Sequence, residues 1–185
     1  TQLDPENELV IKRVIHTTAD FDYVENLVFS PHAVGKGIAA LREGCDIVTD
    51  TQMAKAGINK TILGRLGGEV HCFMSDPDVA AEAKERGVTR AIVSMERAAQ
   101  LSKPCVFAIG NAPTALIRLH ELTEEGRVSP ALVIGVPVGF VNVVPSKELI
   151  ISLPDTPYIV ARGRKGGSNV AAAICNALIY QLTRK

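Results

Sequence analysis

The segment Arg162-Gly-Arg164-Lys165-Gly166-Gly167-Ser168-Asn169 places three positive side chains among closely spaced glycines. It directly follows the apolar run 158–161 and precedes Val170, Ala171, Ala172, Ala173 and Ile174. Strand, turn and helix is the pattern, with Ser168 or Asn169 placed to cap the helix. Glycine lets a backbone approach a ligand, a helix N-terminus offers unpaired N–H groups, and Arg162, Arg164 and Lys165 add charge. Such a turn suits an anion, although a solvated connection would carry the same residues. A second candidate lies near the other end of the chain. Leu9, Arg13 and His16 follow spacings of four and three, which stack side chains on one helix face, so Arg13 and His16 can reach one ligand together. An imidazole there suits proton transfer near neutral pH; spacing alone allows an ordinary surface histidine equally.

Further candidates sit where apolar runs stop. Asp50 follows Asp46-Ile-Val-Thr49 and reads as polar lining or, preferentially, as the cap of a helix from Thr51 onward. Gly110-Asn111-Ala-Pro-Thr114 offers an amide and a hydroxyl at a second run's end, and Gly135-Val-Pro-Val-Gly139-Phe140 ends a third. His32, His71 and His120 read as structural, because no pair has metal-ligand spacing and none neighbours a cysteine at such spacing. No metal site is therefore expected. G-x-G-x-x-G, G-x-x-x-x-G-K-[ST] and G-x-S-x-G do not occur, which argues against dinucleotide, nucleoside triphosphate and serine-hydrolase chemistry.

Composition narrows the classes further. The 185 residues, 46% of them hydrophobic, suffice for one domain with its own core. Lys+Arg 20 against Asp+Glu 20 gives no global attraction to nucleic acid or membrane, and an aromatic content of 4% without Trp leaves little for base stacking. Cys45, Cys72, Cys105 and Cys175 are far apart in apolar surroundings, as free thiols of a cytoplasmic protein would be. No apolar run reaches the roughly 18 residues of a membrane span.

The elements that must position these residues alternate. Helices are predicted from Asp4-Pro5 to about His16, over 33–43 up to Gly44, over 76–86 up to Gly87, over 89–101, from 115 to Gly126, over 147–151 with Ser146 as cap, and from Val170. Strands are predicted at 46–49, 69–73, 105–109, 131–134 and 158–161, while 53–65 reads as a short helix and a loop. Short apolar strands alternating with helices imply an α/β fold on a largely parallel sheet. Ligands of such sheets bind beyond the strands' carboxyl ends. The GNAPT, GVPVGF and RGRKGGSN segments should therefore share one edge.

Taken together, Ile109-Gly-Asn-Ala-Pro-Thr-Ala115, Gly135-Val-Pro-Val-Gly-Phe-Val141 with Ser146-Lys147, and Arg162-Gly-Arg-Lys-Gly-Gly-Ser168 closely resemble the precorrin-8X methylmutase family of cobalamin biosynthesis. The likeness extends to the segment before His16, to Phe29-Ser-Pro31 and to 50–53, and so covers nearly the whole chain. It implies a homodimeric three-layer α/β/α sandwich, with residues 1–185 as a single domain. The implied activity moves a methyl group from C-11 to C-12 of a corrin precursor, without a cofactor. It further implies that His16 is the catalytic proton donor and Arg13 a substrate-binding residue. Asp50, Asn111, Thr114, Gly139, Phe140, Arg162, Arg164, Lys165, Gly166, Gly167 and Ser168 complete the expected site for a tetrapyrrole rimmed with carboxylates. The wording Gly-Val-Pro-Val-Gly-Phe-Val-Asn142 favours the cobalt-containing branch. Family members carry a short front segment with a serine and an aromatic residue that is expected to be missing here. A corrinoid carrier without turnover and an unrelated phosphate-ester enzyme are the alternative readings.

Overall fold

Cys105-Val-Phe-Ala-Ile109 is apolar on both faces, and such a strand needs cover on both sides. In the computed structural model, which describes residues 2–183, it forms β4 (Cys105–Ile109), all five residues buried. The other strands are β1 (Leu27–Phe29), β2 (Asp46–Thr49), β3 (Val70–His71), β5 (Leu132–Gly135) and β6 (Tyr158–Ala161). They make one six-stranded sheet in the order β1-β6-β5-β4-β2-β3, parallel except for β1 against β6. From the β2–β4 pair the chain runs outward to β3 on one side and through β5 to β6 on the other, with β1 added antiparallel at the far edge, which makes that pair a topological switch point.

Two helical layers cover the sheet, as the alternation predicts. Ile47, Val106, Ala108, Leu132 and Ile134 face a core with α1 (Glu8–Thr18), α3 (Ala33–Arg42), α4 (Gln52–Gly57), α5 (Lys60–Arg65) and α10 (Ser168–Gln181). Val48, Cys105, Phe107, Ile109 and Val133 face α7 (Arg90–Ala98), α8 (Pro113–Glu124) and α9 (Val143–Ile151). Outside α7 lies α6 (Pro77–Arg86), held through Val79, Ala83 and Val93. A single turn, α2 (Tyr23–Asn26), links α1 to β1. No helix among the described residues is long and apolar enough to cross a membrane.

Several boundaries differ from the sequence-based expectation, each because a local bond competes. The first helix starts at Glu8 rather than Asp4: Asp4 Oδ1 accepts the Glu6 N–H at 2.9 Å in a preceding turn, and the helix runs on to Thr18. Residues 53–65 hold two helices, because Thr51 and Asn59 accept from the N–H groups of Ala54 and Ile62. The strand expected at 69–73 is a two-residue edge strand. The helix expected at 147 begins at Val143, so Ser146 is no cap; its Oγ donates to Val143 O inside the first turn. Neither Ser168 nor Asn169 caps α10, whose N-cap is Gly167 at φ +132. The three-residue β1 was not legible, being too short to show a period.

Candidate active site

Asp50, the residue after β2, is 1% exposed at the switch point. Its Oδ1 accepts the N–H of Gly110 at 2.9 Å, and Oδ2 accepts those of Asn111 and Ala112 at 2.9 and 2.6 Å. Burial pushes this carboxyl above its ordinary pKa against the pull of the three N–H bonds. Asp50 thus fixes the turn after β4, and the helix cap expected of it belongs to Thr51 instead. The side chain of Asn111 stands exposed on that turn, whereas Thr114 Oγ1 lies 3.2 Å from Thr89 Oγ1 at the start of α7.

The three strand-end segments do meet along one edge. The Gly167 N–H donates to Val136 O at 2.9 Å, the Gly139 N–H to Arg164 O at 3.2 Å, and Ser168 Oγ lies 2.8 Å from Thr51 Oγ1. A Cβ on Gly166 would stand 2.0 Å from Val136 O, and one on Gly110 2.8 Å from Gly167 O. These glycines permit backbone-to-backbone packing within the edge, a use the sequence reading assigned to ligand approach.

The positive charges of the turn are less free than their spacing suggests. Arg162 makes a two-pronged pair with Glu148 of α9 at 2.8 and 3.1 Å. Lys165 Nζ sits 2.7 Å from Asp20 Oδ2 and 2.5 Å from Asp22 Oδ2, and its hydrogen bond holds the Asp20 carboxyl below the ordinary range. Arg164 has no carboxylate partner among the described residues; its guanidinium lies 5.3 Å from the ring centroid of Phe140, which is 79% exposed beyond Gly139 (φ +130).

His16, in the last turn of α1, is exposed on the wall of a groove of about 640 Å³ shared with Lys12, Ile15, Phe21, Asp22 and Glu25. Arg13 lines another depression, against α10, where its guanidinium lies 4.5 Å from the Tyr180 ring centroid. Arg13 and His16 thus share a helix face, as their spacing predicts, but line neighbouring depressions, with the Tyr180 ring against Arg13. The groove touches the basic turn through Asp22 and Lys165.

Sequence reasoning counted Lys147 in the family likeness and in a helix but gave it no place in the site. On α9 it is fully buried, with Nζ donating to Gly163 O at 2.7 Å and Lys165 O at 2.9 Å. Burial lowers its pKa to about 8. The signal was one lysine inside the apolar run Val143-Val-Pro-Ser-Lys-Glu-Leu-Ile-Ile. It overlooked Asp20 and Asp22, whose signal was a pair of acids just past the predicted helix. Asp46, Glu69 and His71 gather near β3 with metal-ligand atom types. There Asp46 already accepts from Glu69 N–H and contacts His71 Nε2 at 2.9 Å and Lys103 Nζ at 3.4 Å, so its charge is matched by protein groups.

The sequence model of the family described as precorrin-8X methylmutase matches residues 1–181. The chain belongs to the precorrin-8X methylmutase family. A cobalt-precorrin-8 methylmutase of Salmonella typhimurium is 50% identical over 181 residues, spanning 96% of this chain and 83% of that protein. A precorrin-8X methylmutase of Pseudomonas aeruginosa is 42% identical over 172 residues, spanning 92% of this chain and 82% of its own. The crystal structure of the precorrin-8X methylmutase of Thermus thermophilus superposes with a TM-score of 0.89 at 38% identity, covering 98% of this chain and 88% of that one. The α/β/α sandwich is therefore the methylmutase fold, and the interlocked edge and the His16 groove are features built on it.

Proposed function

We infer that the chain catalyses the methylmutase isomerisation of corrin biosynthesis, moving a methyl group from C-11 to C-12 of cobalt-precorrin-8 or precorrin-8X to give cobyrinate or hydrogenobyrinate. Family membership supports the reaction. The observation that carries the site is that His16 is the imidazole of a large groove whose wall connects, through Asp22 and Lys165, to the strand-end edge. A macrocycle ringed with carboxylates calls for apolar wall, scattered cations and free N–H groups. Ile15 and Phe21 supply apolar wall, while Lys12 and Arg164 supply cations. His16 lends a proton to the macrocycle, which lowers the barrier for the methyl group to migrate, and the proton is afterwards released. An isomerisation gains and loses no atoms, so no co-substrate is required.

The cobalt form is the preferred substrate of this reading, supported by 50% identity to a cobalt-precorrin-8 methylmutase against 42% to a precorrin-8X methylmutase. A homodimer belongs to the same reading, with the exposed Phe21, Met53, Phe140 and Val141 as apolar surface for a second copy and sedimentation velocity as its check. The four cysteines, free and buried, suit a reducing cytoplasm.

The test is spectroscopic. Purified protein mixed with either substrate is expected to convert its visible spectrum, and His16→Ala to abolish conversion while keeping the bound-ligand spectrum. Binding without conversion by the unaltered protein would point to a carrier, and absence of binding would defeat both readings.

A further inference from the structure

Among the described residues Lys147 is the one cation with a fully buried side chain, and it has no ion pair. An ammonium removed from water is costly unless acceptors surround it. Its acceptors are two backbone carbonyls, those of Gly163 and Lys165, at 2.7 and 2.9 Å. These are alternate residues, and the residue between them is Arg164.

The consequence follows from peptide planarity. No peptide bond here is cis, so each N–H points opposite to the C=O of the residue before it. With the carbonyls of Gly163 and Lys165 drawn inward to Lys147, the N–H groups of Arg164 and Gly166 turn the other way. Neither N–H has a protein acceptor among the described residues. Two outward N–H groups without protein acceptors are donors on offer to an anion, and the Arg164 side chain beside them adds charge without a carboxylate partner.

We propose that Lys147 is a positioning residue for substrate: it clamps the two carbonyls flanking Arg164 and so aims the Arg164 and Gly166 N–H groups at a carboxylate on the rim of the tetrapyrrole. The proposal rests on the methylmutase reading for the identity of the ligand. The clamp itself rests only on the geometry above.

The experiment compares Lys147→Met, which keeps length but removes every donor, with Lys147→Gln, which keeps two N–H donors on a shorter arm. In the unaltered background Lys147→Met is expected to raise KM about tenfold with kcat within about twofold, the loss of a charge-assisted contact on binding alone. Lys147→Gln is expected to recover part of that loss. Combining Lys147→Met with Arg164→Ala should cost less than the sum of the two single changes, because both act on one turn. Amide exchange, which needs no substrate, should speed up at Gly139 and Gly167, whose N–H groups bond to Arg164 O and Val136 O around the clamped turn. An unchanged KM in a folded Lys147→Met protein, or fully additive losses with Arg164→Ala, would overturn the positioning role. Should Lys147→Met fail to fold, the partial KM loss in Lys147→Gln and its additivity with Arg164→Ala decide the question in the same way. If the unaltered protein converts neither substrate, the methylmutase reading fails, whereas faster exchange at Gly139 and Gly167 still upholds the clamp.

Discussion

Lys165 Nζ lies 2.7 Å from Asp20 Oδ2, a contact that spans 145 residues of chain and ties the turn after β6 to the end of α1. Asp22 joins it at 2.5 Å and also lines the His16 groove. The lysine that reads as a free anion binder is thus already answered by two carboxylates. Replacing Asp20 and Asp22 together by Asn is expected to raise affinity for the polycarboxylate product several-fold at low ionic strength, with the gain shrinking as salt rises. Visible-spectrum titrations at two ionic strengths check this; an affinity that falls would show that the pair serves to shape the site.

Asp50 makes the complementary arrangement, a buried anion that collects three N–H groups. Asn at this position turns an NH2 group toward one or more of those donors and leaves them unpaired. Asp50→Asn is expected to destabilise the fold by about 1–3 kcal/mol, the cost of buried donors without acceptors. Urea denaturation reads the loss as a lower midpoint at unchanged slope.

Gly166 and Gly163 separate packing from backbone strain. A Cβ on Gly166 meets Val136 O at 2.0 Å, whereas at Gly163 (φ +93) nothing lies within 4 Å. Gly163→Ala should cost about 1–2 kcal/mol, the left-handed penalty of an L-residue. Gly166→Ala must move the backbone of the neighbouring segment and should cost about 3 kcal/mol or more. Equal losses in chemical denaturation would contradict this ordering.

Lys147 makes stability depend on alkaline pH in a definite direction. Its folded pKa of about 8 lies below the ordinary 10.5, so the folded state releases the proton first. Burial of the charge therefore weighs against folding below about pH 8 and is relieved as pH rises from about 8 to 10.5. Over that window the unaltered protein should gain stability relative to Lys147→Met, with a slope approaching about 1.4 kcal/mol per pH unit. Denaturant midpoints measured for both proteins through the window decide it; parallel curves would refute it.

Much of the architecture was determined by the sequence alone, because the determinants are local. Cys105-Val-Phe-Ala-Ile109 and Ala131-Leu-Val-Ile134 are short apolar runs that read as strands covered on both faces, and Asp76-Pro77 with Gly87 bounds a helix. The meeting of three strand-end segments follows from parallel connectivity and was legible for the same reason. Only the tertiary structure decided which charges remain available. Three cations within four residues of chain look equivalent until folding brings Glu148 to Arg162, Asp20 and Asp22 to Lys165, and leaves Arg164 against Phe140. Likewise, helical spacing put Arg13 and His16 on one face, but only folding set the Tyr180 ring, from the far end of the chain, against Arg13. Coulomb pairing, ring stacking and burial act through space between residues far apart in the chain. The sequence therefore shows which groups carry chemistry, and folding determines which of them stay free to use it.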